Sequence, residues 1–102
     1  MADIKRARMA LVQWILEGPG HALATERGAA FANAGLAGPL ASLVDKVAKC
    51  SYKITDEDIA GAKAAGRSED QLFELIVCAA TGQAARQYDT ALAALDAAAD
   101  QE

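Results

Sequence analysis

The chain has little of several residue types that would mark a specialised class of protein. Its two cysteines, Cys50 and Cys78, are too few for a disulfide framework or a cysteine-based metal site, which suits a reducing cytoplasm. Ten basic residues against 14 acidic ones give a net charge of -4, which argues against a dedicated nucleic-acid binder. No apolar run approaches the ~20 residues that cross a bilayer, and the N-terminus has no signal-peptide pattern. The sequence therefore predicts a cytoplasmic protein that neither enters membranes nor binds nucleic acid.

What the chain has is alanine, which supplies about a quarter of its 102 residues. Alanine loses no side-chain entropy in a helix, and β-branched residues are few here, so the composition favours helices over strands. Both prolines fall within the first 40 residues. The length accommodates one core, so we expect one all-α domain over residues 1–102.

Apolar spacing and capping residues predict five helices. Thr55 is a predicted N-cap followed by three acidic residues, and Ser68 with Gln71 forms a capping box that begins the last helix. The predicted helices cover residues 3–17, 25–33 and 39–50, a short segment between Thr55 and Gly66, and residues 69–98.

The last predicted helix is long for a domain of this size. About 30 helical residues extend roughly 45 Å, whereas a compact domain of this length spans only about 34 Å. One possibility is that the helix breaks at Gly82, because glycine in a helix costs about 1 kcal/mol relative to alanine. The other is that the end of the helix projects and packs on another subunit. We therefore expect a homo-oligomer formed through the C-terminal helix.

The stretch from Leu40 to Leu95 resembles the alkylhydroperoxidase D and carboxymuconolactone decarboxylase family. The resemblance rests on an apolar helix leading to Cys50, a short helix ending at Gly66, and a Ser68-Glu69-Asp70 turn before a long helix. It implies an all-α, alkylhydroperoxidase D-like bundle of about five helices. It covers about half of the chain and is a pattern of elements more than a fixed motif.

The chain departs from that family at the residues that carry its redox chemistry. Peroxidase members have two cysteines separated by two residues, a histidine four residues later, and an upstream glutamate. Aligned on Cys50, the second cysteine position is Lys53 and the histidine position is Glu57, while Gly38 stands near the glutamate position. Aligned on Gly66, the three positions hold Ser51, Ile54 and Asp58 instead. Because a second thiol must resolve the oxidised first one, neither register supports dithiol chemistry.

The resemblance and the departures lead to three functional hypotheses. The favoured one is a non-redox protein that binds a small molecule or acts as an assembly component. The second is a decarboxylase-type enzyme, with His21, Glu57 or Asp58 as proton donor or acceptor beside a carboxylate site that includes Arg86. The third is a peroxidase that uses Cys50 with an external thiol. No cofactor or metal site is predicted.

Each candidate residue also has an ordinary structural interpretation. His21 titrates near neutrality but follows a flexible Gly-Pro-Gly turn and fits a surface or capping histidine. Glu57 and Asp58 are typical helix-start acids, and consecutive helical residues do not converge on one ligand. Cys50 fits a small, partly buried thiol, and Cys78 fits a core residue.

Polar residues on the long helix are candidates for binding a small carboxylate. Arg86 is the main one, because its planar guanidinium binds two oxygens at once. Tyr88 lies nearby on the same helix, and Lys53 is a further candidate. The cations of the first helix, Lys5, Arg6 and Arg8, either face solvent or contact an acidic patch on a neighbouring subunit.

Overall fold

The computed structural model describes residues 2–100. Within these residues the chain forms five α-helices and no strand, which confirms the all-α class and the long C-terminal helix. A 3₁₀ turn, Ser51–Lys53, connects the third and fourth helices. The helices are α1 (Ala2–Glu17), α2 (Ala24–Ala32), α3 (Gly38–Cys50), α4 (Asp56–Ala64) and α5 (Glu69–Asp100).

Local capping chemistry sets the helix ends. At α4 the Asp58 N–H donates to Thr55 Oγ1 at 3.2 Å, and the Thr55 N–H donates to the Asp58 carboxylate at 2.9 Å. The same reciprocal pair forms at α5 between Ser68 and Gln71, which confirms the predicted capping box. Helix α2 ends at Ala32 rather than at Asn33, because Asn33 takes a left-handed conformation with φ 53°.

The core forms where α2 and α3 pack on α5. Its most deeply buried large side chains are Leu43 and Val44 from α3, and Leu75 and Cys78 from α5. Cys78 is therefore a core residue, as the sequence predicts. Helix α1 lies antiparallel to α5, since Arg8 near its start contacts Asp89 and Ile15 near its end contacts Cys78.

Helix α5 runs unbroken through Gly82, so of the two alternatives for the long helix the break is wrong. Its 32 residues extend about 48 Å. The molecule measures 54 × 29 × 20 Å, and every residue from 87 to 100 is exposed. The C-terminal part of α5 therefore projects beyond α2, α3 and α4, and α1 lies beside it at Asp89. Over the described residues, no helix combines the length and apolarity that crossing a bilayer requires.

Candidate functional site

One surface of the molecule is apolar along two neighbouring helices, and we call it the outer face. On α5 it consists of side chains that recur every three or four residues and carry no charge: Phe73, Val77, Ala80, Ala84, Tyr88, Ala91 and Leu95. All are exposed except Val77, which is half-buried. On α1 it continues through exposed, uncharged side chains at the same spacing: Ile4, Ala7, Leu11 and Trp14.

The two parts of the outer face adjoin. Trp14 of α1 lines the same surface cavity as Phe73 and Val77 of α5. Trp14 is 64% exposed and Phe73 is 70% exposed, which is unusual for side chains of this size. Contiguous exposed apolar surface of this kind marks interaction sites in soluble proteins.

A buried arginine joins α1 to α2 beside this face. Arg27 of α2 is only 8% exposed, and its Nη1 donates to the carbonyl oxygens of Gly18 at 2.7 Å and Ile15 at 3.3 Å. These carbonyls end α1, where the helix dipole is negative, so the guanidinium charge is favourable there. Arg27 thereby fixes the C-terminal end of α1 against α2.

Glu74 of α5 holds the loop that follows α1. Its carboxylate accepts the backbone N–H of His21 at 2.8 and 2.9 Å and that of Ala22 at 2.6 Å. Burial of this carboxylate opposes its ionisation, but the two N–H groups, together with the charge of Arg27, outweigh burial and lower the pKa of Glu74. The loop between α1 and α2 is therefore bound to α5 through an ionised side chain.

At the other end, an ion pair fixes α1 along α5. Arg8 Nη1 lies 2.9 Å from the Asp89 carboxylate, and the guanidinium carbon lies 4.8 Å from the centre of the Tyr88 ring. Arg8 thus contacts a single carboxylate of its own chain, whereas the sequence left open solvent or a neighbouring subunit. Together with Arg27 and Glu74, this pair aligns the apolar stripes of α1 and α5.

Arg86 and Gly82 of α5 make close contacts with the C-terminal end of α2. Arg86 Nη1 donates to the carbonyl oxygen of Phe31 at 2.6 Å, and its Nη2 donates to Gln83 at 3.0 Å. Gly82 is buried against the backbone of Phe31, so closely that an added Cβ would lie 2.7 Å from the Phe31 carbonyl carbon. The guanidinium that the sequence suggested for a carboxylate therefore already binds a helix C-terminal carbonyl.

The candidate catalytic residues lie in separate surroundings. His21 is exposed, with Nδ1 3.8 Å from Glu74 and Nε2 4.0 Å from Asp70. Cys50 is half-buried at the end of α3, and Glu57 is exposed on α4. Asp58 caps α4 and lies 2.8 Å from Lys46 Nζ. That ammonium and the Thr55 N–H lower the pKa of Asp58.

The candidate binding residues are also dispersed. Lys53 Nζ lies 5.8 Å from the centre of the Tyr52 ring, and Tyr88 stacks under Arg8. Within residues 2–100, no hydrogen bond or ion pair joins any two of the seven candidates that the sequence suggested. Nor do three or more histidine, cysteine or acidic side chains in the described part of the chain group as a metal ion requires. Their proposed roles stay predictions.

Sequence reasoning missed the residues that organise the outer face. Arg27 is a single cation in an alanine-rich helix, and Glu74 is a single acid within the apolar part of α5. A charged residue among apolar helical residues is a signal that could have suggested a buried partner, but it does not identify that partner. No family model, curated protein or solved structure matches the chain. The resemblance to the alkylhydroperoxidase D family accordingly stays a prediction.

Proposed function

We propose that this protein is a non-redox assembly protein of alkylhydroperoxidase D-like architecture, and that it works as a homo-oligomer joined through the outer face. The observation that carries the proposal is the amount of surface that one chain leaves exposed. A compact protein of 10.6 kDa exposes about 5,500 Å², whereas this chain exposes 6768 Å². The excess of about 1,300 Å² is larger than the ~800 Å² that one subunit contributes to a standard interface.

The shape of the molecule and the composition of its exposed surface support the same proposal. The radius of gyration is 15.6 Å, whereas a compact chain of this length has about 13 Å, and the difference reflects the projecting end of α5. Most of the large apolar side chains that stay exposed belong to α1 or α5: Ile4, Met9, Leu11, Trp14, Phe73, Tyr88, Leu92 and Leu95. A second copy that covers these two helices buries the excess surface where it is most apolar.

The surroundings of the two thiols support the non-redox part of the proposal. Burial raises the pKa of Cys78, which disfavours the thiolate that attacks peroxides. Cys50 has Lys49 and Lys53 near it in sequence. However, Lys49 pairs with Asp45 at 3.0 Å, and Lys53 lies over the Tyr52 ring. The cations that would favour a reactive thiolate are therefore engaged elsewhere.

Sedimentation velocity with a matched pair of variants tests the assembly. Leu95 on the outer face and Leu23 at the N-cap of α2 are both 66% exposed, so the same substitution replaces an equally exposed side chain at each site of a lone protomer. We expect the wild type and Leu23→Glu to sediment as oligomers. Leu95→Glu places a charge in the interface and shifts the protein to single protomers.

A wild-type protein that sediments as one protomer at every concentration would contradict the proposed assembly. Equal dissociation of both variants would contradict the assignment of the interface to the outer face. The non-redox part is tested separately by mass spectrometry after exposure to hydrogen peroxide. Oxidation of Cys50 far faster than that of a cysteine-containing peptide would overturn it.

A further inference from the structure

We infer that two copies pair their α5 helices antiparallel, about a two-fold axis that passes beside Ala84. This inference rests on the proposed function and specifies how the outer face meets its partner. It follows from the spacing of the outer-face residues, their sizes, and the direction of the α5 helix dipole.

The outer-face residues of α5 follow an eleven-residue repeat. Phe73, Ala84 and Leu95 are related by this interval, as are Val77 with Tyr88 and Ala80 with Ala91. Eleven residues over three turns give about 3.67 residues per turn, close to the 3.6 of a straight helix. The stripe therefore drifts by only about 40° around α5 over six turns, and a second helix can follow it with a slight right-handed supercoil.

The same positions are symmetric about Ala84, so an antiparallel copy meets each of them with another member of the stripe. Phe73 then faces Leu95 of the second copy, Val77 faces Ala91, and Ala80 faces Tyr88. Within the stripe a large side chain faces a small one, except at the ends, where Phe73 meets Leu95. Ala84 faces itself, and its small side chain allows the two helix axes to approach closely.

The helix dipole favours antiparallel over parallel pairing. Side-chain charge does not distinguish the two, because α5 is acidic at both ends, with Glu69 and Asp70 at its start and Asp96 and Asp100 at its end. A parallel pair places each acidic group next to its own copy, and the antiparallel pair places the start of one helix next to the end of the other, so like charges meet in both arrangements. The antiparallel pair, however, aligns the opposed helix dipoles favourably. It also lays the projecting end of each chain over Trp14 and Phe73 of the other, so the exposed aromatic pair becomes covered.

Disulfide crosslinking tests the register in the full chain, with Cys50→Ser as the background. The variants are Ala84→Cys, Phe73→Cys and Leu95→Cys, each at an exposed position. Under mild oxidation we expect Ala84→Cys to form a covalent dimer by itself. Phe73→Cys and Leu95→Cys should each fail alone, because their copies lie about 33 Å apart, whereas a disulfide spans at most about 7 Å between Cα atoms. A mixture of the Phe73→Cys and Leu95→Cys proteins, equilibrated before oxidation, should give a covalent dimer of one with the other.

The outcomes separate the register from the assembly. Self-crosslinking of Phe73→Cys and Leu95→Cys would establish parallel pairing and overturn the inference. Absence of both the Ala84→Cys dimer and the mixed dimer, in a protein that still sediments as an oligomer, would overturn the register while leaving the proposed function intact. If the parent sediments as single protomers, the proposed function fails and the inference fails with it.

Discussion

Replacement of Gly82 by alanine gives the sharpest test of the tertiary packing. Helix propensity predicts that it raises the free energy of unfolding, whereas the packing of α2 on α5 predicts that it lowers it. Gly82 lies in the interior of α5, where alanine gains about 1 kcal/mol in helix propensity. In the folded protein, however, the new Cβ would lie 2.7 Å from the carbonyl carbon of Phe31 and 2.9 Å from its Cα. These are backbone atoms, so no side-chain rotation relieves the overlap.

The size of the effect follows from what must move. Relief of the overlap requires α2 to shift away from α5, and the Arg86 hydrogen bond to Phe31 resists that shift. Overpacking costs about 1–3 kcal/mol, and an overlap with backbone atoms places this one in the upper part of that range, at about 2–3 kcal/mol. After the gain in helix propensity, we expect Gly82→Ala to destabilise the protein by about 1–2 kcal/mol. For a domain of this size that corresponds to a fall in Tm of roughly 5–15 °C.

Gly28→Ala in α2 is the matched control, because a Cβ at that position meets nothing within 4 Å. We expect it to raise stability by about 0.5–1 kcal/mol, since it gains helix propensity without a clash. The assay is thermal unfolding followed by far-UV circular dichroism, at one protein concentration because association shifts Tm. A rise in Tm for Gly82→Ala similar to that for Gly28→Ala would refute the close packing of α2 on α5.

Three further predictions concern single side chains. The folded-state pKa of Glu74 is lowered, so its stabilisation is complete above its ordinary pKa and is lost as pH falls through the lowered value. The free energy of unfolding of Glu74→Gln, measured by urea titration, should therefore depend less on pH in the acidic range. With a thiol reagent the half-buried Cys50 should react first, and the buried Cys78 only on unfolding. Arg86→Ala should lower stability by about 1–2 kcal/mol, because the carbonyl of Phe31 loses its donor.

Each of these predictions has an outcome that contradicts it. An unchanged pH profile for Glu74→Gln would mean that the carboxylate does not hold the loop before α2. Equal labelling rates for the two thiols would place Cys78 outside the core. If Arg86→Ala keeps wild-type stability but abolishes a melting shift caused by small carboxylates, Arg86 is a binding residue rather than a structural one.

Most of the fold was predictable from the sequence because the signals that end helices are local. Ser68 and Gln71 define the start of α5 through hydrogen bonds between residues three apart, and Thr55 does the same for α4. Asn33 was misassigned to α2, since asparagine fits either a last helical turn or a left-handed cap. Only the hydrogen bonds at the C-terminal end of the folded helix distinguish these two conformations.

The organisation of the outer face was less predictable. Arg27 and Glu74 act on groups that are distant in sequence: the carbonyls at the end of α1, and the N–H groups of the following loop. Neither residue lies in a recognisable motif. From the sequence, Gly82 was expected to weaken the helix, but in the structure it lets the backbone of α2 approach α5 closely.

By itself the sequence determined an all-α chain of five helices with a last helix too long for a compact domain, because composition, caps and length act within a few residues. It also determined that no second thiol follows Cys50 at the dithiol spacing. Only the tertiary structure decided which side of α5 stays open. Between residues 72 and 80, α5 is apolar on nearly all sides, with Leu72 and Leu75 buried and Phe73 exposed. Periodicity alone therefore cannot select the buried stripe, and packing against α2 and α3 selects it.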